Sequence, residues 1–253
     1  MKAANFNSPF LKTISWNPGP ANQGGYPFTI PKFSREFTLE LSRPISFFVG
    51  ENGGGKSTLL EGLAGKIGFN MRGGNRDHAS ADAPAEDTPL MAALRLSWLP
   101  KVNTGFFMRA ESFFNFASYI DDVSGGNPKL LRSYGGKPLN TQSHGESFPA
   151  LFANKFRERG VYLLDEPEAA LSPLRQLGFL SVLHHLEKTG LAQFIIASHS
   201  PILLSYPGAE ILSFDEEEIK PMSYAETEHY KVTKAFLNSP ESHLKHLFSE
   251  PLL

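Results

Sequence analysis

The sequence contains no cysteine. Disulfides, a thiol nucleophile and thiolate metal sites are therefore excluded, which fits a reducing compartment. It also lacks any run of about 20 apolar residues of the kind a membrane-spanning helix needs. Its opening, MKAANFNSPFLKTISWNPGP, has no apolar core of signal-peptide length. A soluble, cytoplasmic chain with no direct membrane insertion is expected. Neither charge is in excess: 24 basic and 26 acidic residues leave a formal net charge of -2. The chain as a whole therefore exerts no electrostatic pull on nucleic acid or anionic lipid, although that sum still allows a local basic patch. No internal repeat and no long heptad run is present, so a solenoid or a coiled coil is not expected.

What is present is enough apolar material for a buried core, 41% of 253 residues. Between residues 11 and 48, Pro/Gly breaks give way to short alternating apolar runs, FTIPKF and FTLELSRPISFFVG. These read as strands of an antiparallel layer feeding a buried strand at 45–49. The segment KSTLLEGLAGKI spaces Leu59, Leu60, Leu63 and Ile67 along one helical face. Residues 70–90 are polar and without apolar period, and read as a mobile surface loop. TGFFMRAESFFNFASYIDDV predicts a short strand and then a helix from near Ser112, its aromatics belonging to the core. Downstream, 160–164 is a second buried strand, SPLRQLGFLSVLHHLEKTG a helix and AQFIIASHS a third buried strand. This alternation implies a mostly parallel sheet with helices on its faces. From about Ala209 follow a strand, the acidic run DEEE, read as a solvated turn, and a last amphipathic stretch around KVTKAFLNSPESHLKHLF.

Residues 50–57 read GENGGGKS, a full match to G-x-x-x-x-G-K-[ST] between a predicted strand and a predicted helix. Polyphosphate is dense negative charge, so a loop that binds it must converge several backbone N–H groups, and glycines permit that curl. Gly50, Gly53, Gly54 and Gly55 supply it, with Glu51 and Asn52 completing the turn and Thr58 closing it. Lys56 is placed to reach the β- and γ-phosphates and the Ser57 hydroxyl to ligate Mg²⁺, while the helix points its positive N-terminal end at the anion.

VYLLDE places Asp165 at the end of a buried strand, with Glu166 beside it. Two adjacent carboxylates suit phosphoryl chemistry because one faces the metal while the other polarises the attacking water. His199, at the exit of the third parallel strand, lies on the sheet edge where ligands collect in open α/β sheets, within reach of the γ-phosphate or that water.

On these residues the chain resembles an ABC-type ATPase. More narrowly, it resembles the small stand-alone ATPases related to the SMC, Rad50 and RecF heads. The blocks that carry the resemblance are GENGGGKSTLLEGLAG, GFFMRAESFFNFASYID, QSHGESF, YLLDEPEAALSPLRQ and IIASHSPILLSYPGAEILSF. It implies an α/β P-loop NTPase fold, a mostly parallel sheet flanked by helices with an N-terminal antiparallel β layer and a helical insertion. It implies one domain over 1–253, with 28–68 and 155–253 as nucleotide-binding core and about 69–154 as the insertion and signature subdomain.

By the same resemblance QSHGE corresponds to the signature LSGGQ, so that Ser143, Gly145 and Glu146 contact ATP held by a second subunit. His199 becomes the switch histidine, and residues 169–172 the loop that crosses the dimer interface. His144 stands where the signature has Gly, Glu146 where it has Gln, and Ser172 where many members have Asp. Glu111 is the nearest candidate for the metal-sensing position. Tyr26, Phe28 and Phe33 are the candidates to stack on adenine.

Because each chain has one copy of each motif, the resemblance implies a head-to-tail, ATP-dependent homodimer. The leading reading is Mg²⁺-dependent hydrolysis of ATP to ADP and phosphate, with Glu166, His199 and Lys56 catalytic and Ser57 and Asp165 at the metal. The ATP state would then couple to a partner protein or to DNA. The alternatives are a slow, ATP-gated interaction module, the energy subunit of a transporter and, with least support, a small-molecule kinase.

Overall fold

A computed structural model describes residues 7–19, 25–70, 88–109 and 159–249. Among these, six strands form the main sheet in the order β5-β6-β7-β3-β8-β9: β3 (Ile45–Val49), β5 (Gly105–Arg109), β6 (Gly160–Asp165), β7 (Ala192–Ala197), β8 (Glu210–Ser213) and β9 (Lys220–Met222). All neighbours are parallel except β8 and β9. A smaller antiparallel sheet has the order β2-β1-β4, from β1 (Leu11–Trp16), β2 (Phe37–Glu40) and β4 (Leu94–Trp98).

The unbroken apolar runs of β3, β6 and β7 have a physical reason: every residue in all three is buried, because both faces of the main sheet are covered. On one face lie helix α1 (Lys56–Ile67) and the small sheet, with Leu59, Leu60 and Leu63 packed on Phe48, Leu163 and Ile195. Helix α2 (Pro89–Ala93) joins that cluster through Leu90. On the other face, helix α3 (Pro173–Thr189) brings Phe179, Leu183 and Leu186 onto Phe47, Leu164 and Ile196, beside the short α4 (Pro201–Leu204). Two C-terminal helices, α5 (Glu228–Asn238) and α6 (Pro240–Ser249), bury no residue fully. No helix among the described residues is long and apolar enough to cross a membrane.

One polar side chain joins the sheets. Gln193, fully buried on β7, accepts the N–H groups of Phe10 and Leu11 at 2.8 Å each and donates to the Leu11 carbonyl at 2.9 Å. It thereby satisfies backbone groups that burial would otherwise strand.

The expected strands at 45–49, 160–164 and within AQFIIASHS and GFFMR are present, and Phe106 and Phe107 belong to the core as expected. FTIPKF is a correction: it contains a 3-10 turn at Pro31–Phe33 rather than a strand. Pro31 removes a ladder donor and fixes φ near that of a turn. The segment expected as a loop over 70–90 ends instead in helix, since Thr88 caps α2 by accepting the Met91 N–H. Residues 71–87 of that segment lie outside the described residues. So do the helix expected from Ser112, Glu111, and the signature residues Ser143, His144, Gly145 and Glu146.

Candidate functional site

The loop between β3 and α1 bounds a cavity of about 220 Å³ together with Tyr26, Ile30 and Glu166. Gly55, at φ 93, is the last loop residue, and a Cβ there would stand 2.8 Å from the ring of Phe33. The left-handed backbone and the packed ring both call for glycine. Lys56 is almost fully buried and donates to the Gly50 carbonyl at 2.5 Å and the Glu51 carbonyl at 2.8 Å, so its ammonium is held inside the loop's curl. Burial holds Lys56 below its ordinary value, while the charges of Glu166, Asp215 and Asp165 oppose that shift.

Ser57 Oγ donates to Asp165 Oδ1 at 3.0 Å, bringing together two residues 108 positions apart. Parallel pairing of β6 and β7 sets this register by aligning Asp165 with Ala197. Burial pushes the Asp165 carboxyl up to about 6, against the Ser57 hydrogen bond and the Arg109 charge, which both lower it. Arg109 Nε lies 3.5 Å from Asp165 Oδ2, while its Nη1 pairs with Glu61 at 2.6 Å. Desolvation outweighs this ion pair because Asp165 is only 5% exposed. Two hard oxygens at this spacing suit Mg²⁺, which takes one or two protein ligands and fills its shell with water and phosphate oxygens.

Glu166 has φ 51 and ψ 50, the one non-glycine residue in the left-handed region among those described. That backbone costs about 1–2 kcal/mol. It is held by a hydrogen bond from the Glu166 N–H to the Ala197 carbonyl at 3.0 Å, and the residue lines the cavity. His199 Nε2 is 3.5 Å from Glu166 Oε1, and its backbone N–H donates to Glu168 at 2.5 Å. Its Nδ1 lies 2.8 Å from Nε2 of His229, on α5. Residues 169–172 follow as a turn leading into α3, with Ala169 and Ser172 exposed and Leu171 buried.

The three aromatic candidates separate by burial. Phe28 and Phe33 are core residues, 4% and 0% exposed, and present no face to a ligand. Tyr26 is 67% exposed, lines the cavity, and its hydroxyl lies 2.9 Å from Thr58 Oγ1.

Four residues at the site were not anticipated. Asp215, the first acid of the run read as a solvated turn, accepts the Glu51 N–H through Oδ1 at 2.8 Å. A Cβ on Gly50, at φ 135, would meet the same Oδ1 at 2.7 Å, so the contact depends on glycine. Lys32, 7% exposed, donates to the Phe214 carbonyl at 2.6 Å. Arg109 and His229 complete the set. Asp215 had a usable signal, since SFD repeats the pattern of an apolar strand ending in an acid seen in LLD; the other three had none.

Comparisons with known proteins bear on the fold. Residues 28–87 match a family described as "AAA domain", and residues 147–205 one described as "AAA domain, putative AbiEii toxin, Type IV TA system". No curated protein matches. Among solved structures, CbiO1 from Clostridium perfringens, part of the ABC transporter complex CbiONQ, is 17% identical, with 95% of this chain and 100% of that chain covered and a TM-score of 0.51. The SMC head bound to the C-winged helix domain of ScpA is 13% identical over 85% of this chain and 98% of that one, with a TM-score of 0.50. An SMC head domain from Thermotoga maritima is 16% identical over 85% and 99%, with a TM-score of 0.48.

Proposed function

Because the chain has the fold of the ABC-type P-loop ATPases, shared by transporter subunits and SMC heads, we propose that it hydrolyses ATP. The observation that carries this reading is the convergence of Lys56, Ser57, Asp165, Glu166 and His199 around one glycine loop. The loop over 50–58 holds the phosphates through the backbone N–H groups that follow Glu51, whose own N–H is taken by Asp215, and through the α1 N-terminus. Lys56 exchanges its carbonyl partners for phosphate oxygens. Ser57 and Asp165 are the residues that would hold Mg²⁺, which would supply positive charge against the phosphates. Glu166 accepts a proton from the water that attacks the γ-phosphorus as the bond to the bridging oxygen breaks and ADP leaves. His199 senses the γ-phosphate side of the site.

The same proposal includes an ATP-dependent head-to-tail homodimer, with Ser143, Gly145 and Glu146 of each chain completing the other's site. Exposed Ala169 and Ser172, and Leu174 at 78% exposure directly after them, are available to that contact. Its setting is cytoplasmic, and it couples the ATP state to a partner protein in preference to DNA, because the charge balance offers no general attraction to nucleic acid.

The test is Glu166→Gln protein incubated with Mg²⁺ and ATP and sized by chromatography with light scattering, alongside a steady-state ATPase assay of the unaltered chain with and without duplex DNA. The expected results are a trapped dimer and a DNA-independent turnover that Lys56→Ala abolishes. A monomer under saturating ATP overturns the assembly, and absence of turnover overturns the enzyme.

A further inference from the structure

His229 belongs to none of the motifs above, yet its ring nitrogen makes the direct side-chain hydrogen bond to His199. The two rings are 4.9 Å apart and inclined by 58°. His229 sits in the first turn of α5, whose entry is tightly specified. Ser223 and Glu226 form a reciprocal capping box, and the Thr227 side chain accepts the Tyr230 N–H. Tyr224 Oη donates to the Pro201 carbonyl at 2.9 Å, and the Tyr224 and Tyr230 rings are 4.6 Å apart. The start of α5 thus grips the chain at His199 and again at Pro201. Since α5 buries no residue fully, these contacts of its first turn and of the turn before it seat it.

The chemistry of the pair decides its proton arrangement. Burial and the nearby charge of Lys56 hold both imidazoles below their ordinary value and so favour the neutral form of each, against the charge of Glu166 on His199. Between two neutral imidazoles one nitrogen donates and the other accepts. If His199 donated from Nδ1, its Nε2 lone pair would face the Glu166 carboxylate 3.5 Å away, an unfavourable approach of two acceptors. If His229 donates from Nε2, His199 carries its proton on Nε2 and turns an N–H toward Glu166, which itself lines the cavity. That nitrogen is buried and has no hydrogen-bond partner among the described residues, so its proton is held ready for one.

We infer that His229 is a positioning residue: its Nε2–H donates to Nδ1 of His199, fixes His199 as the Nε2–H tautomer aimed at the γ-phosphate side of the site, and so ties α5 to that site. The inference rests on the ATPase reading for its catalytic consequence, but the tautomer itself does not depend on turnover.

Two measurements test it on the full chain. Long-range proton–nitrogen correlation of the imidazoles should show His199 as the Nε2–H tautomer, and His229→Phe should shift its nitrogen signals toward a mixture of tautomers. In the ATPase assay, His229→Ala should lower kcat by roughly 10-fold or more, the lower end of what losing an outer partner costs a metal-bound imidazole, with KM for ATP within about twofold. His229→Gln, whose amide can still donate, should restore most of the rate. Adding His229→Ala to His199→Ala should cost nothing further, because the two act as one unit. A His199 signal unchanged in His229→Phe, or full kcat in His229→Ala, overturns the inference. If the unaltered chain does not hydrolyse ATP, the ATPase reading fails by itself, and the nitrogen spectrum still decides the role of His229.

Discussion

The carboxylate of Asp215 accepts the backbone N–H of Glu51 at 2.8 Å, tying the end of β8 to the second residue of the phosphate loop, 164 positions earlier in the chain. Ser213 Oγ donates to the other Asp215 oxygen at 3.0 Å, so the acid is oriented from its own strand. An N–H turned toward Asp215 is an N–H turned away from any anion in the loop. Asp215 therefore shapes the loop's mouth by taking that N–H.

Removing this contact should loosen the loop's mouth. A hydrogen bond to a charged group contributes about 1.5–3 kcal/mol, so Asp215→Ala is expected to weaken binding of a fluorescent ATP analogue by roughly tenfold or more. Asp215→Asn retains an acceptor oxygen and should lose much less. Equal affinity of Asp215→Ala and the unaltered chain would show that the loop holds its shape without β8.

Tyr26 is the candidate adenine platform by exposure, and its hydroxyl contact with Thr58 anchors it beside the loop. Stacking of a base on an aromatic ring contributes about 1–3 kcal/mol. Tyr26→Ala should therefore weaken ATP binding by about tenfold, while Tyr26→Phe keeps the ring and should stay near the original affinity. Because every base has a π-face, GTP binding should fall in parallel. Titration calorimetry with both nucleotides checks this, and unchanged affinity in Tyr26→Ala removes Tyr26 from the site.

Asp165 makes the stability of the nucleotide-free chain depend on pH. Its carboxyl titrates near 6 when folded and near its ordinary 3.8 when unfolded. The folded chain holds the extra proton between those values. Stability is thus fullest below 3.8 and is lost as pH rises through about 6. The rise from 3.8 to about 6 corresponds to about 3 kcal/mol. Without Mg²⁺ and ATP, Asp165→Asn should raise Tm at pH 8 by several degrees, and by about half as much at pH 5. On the proposed ATPase reading, the same variant should also lose ATP hydrolysis. Thermal melts at the two pH values check the first point, and a gain independent of pH would contradict it.

Much of the site was legible because its parts are local. GENGGGKS, the acid pair at 165 and 166, and His199 each stand at the end of a strand whose apolar run is visible in a single stretch of chain. Spacing along the chain determines which atoms such a segment presents, whatever surrounds it. FTIPKF shows the limit of that logic. Its apolar pattern suits a strand, but Pro31 and the packing of Phe33 against Gly55 favour a turn.

The sequence by itself determined the glycine loop, the acid pair, the three buried strands and their alternation with helices. Only the tertiary structure decided which distant residues stand beside them: Asp215 at the loop's mouth, Arg109 beside Asp165, Gln193 between the sheets, Tyr26 exposed at the cavity while Phe28 and Phe33 are buried, and His229 against His199. The physical reason is one of range. A strand end or a glycine turn is specified by its own neighbours. A hydrogen bond such as that of Phe10 to Gln193, 183 positions away, exists only because sheet register and helix packing bring its ends together.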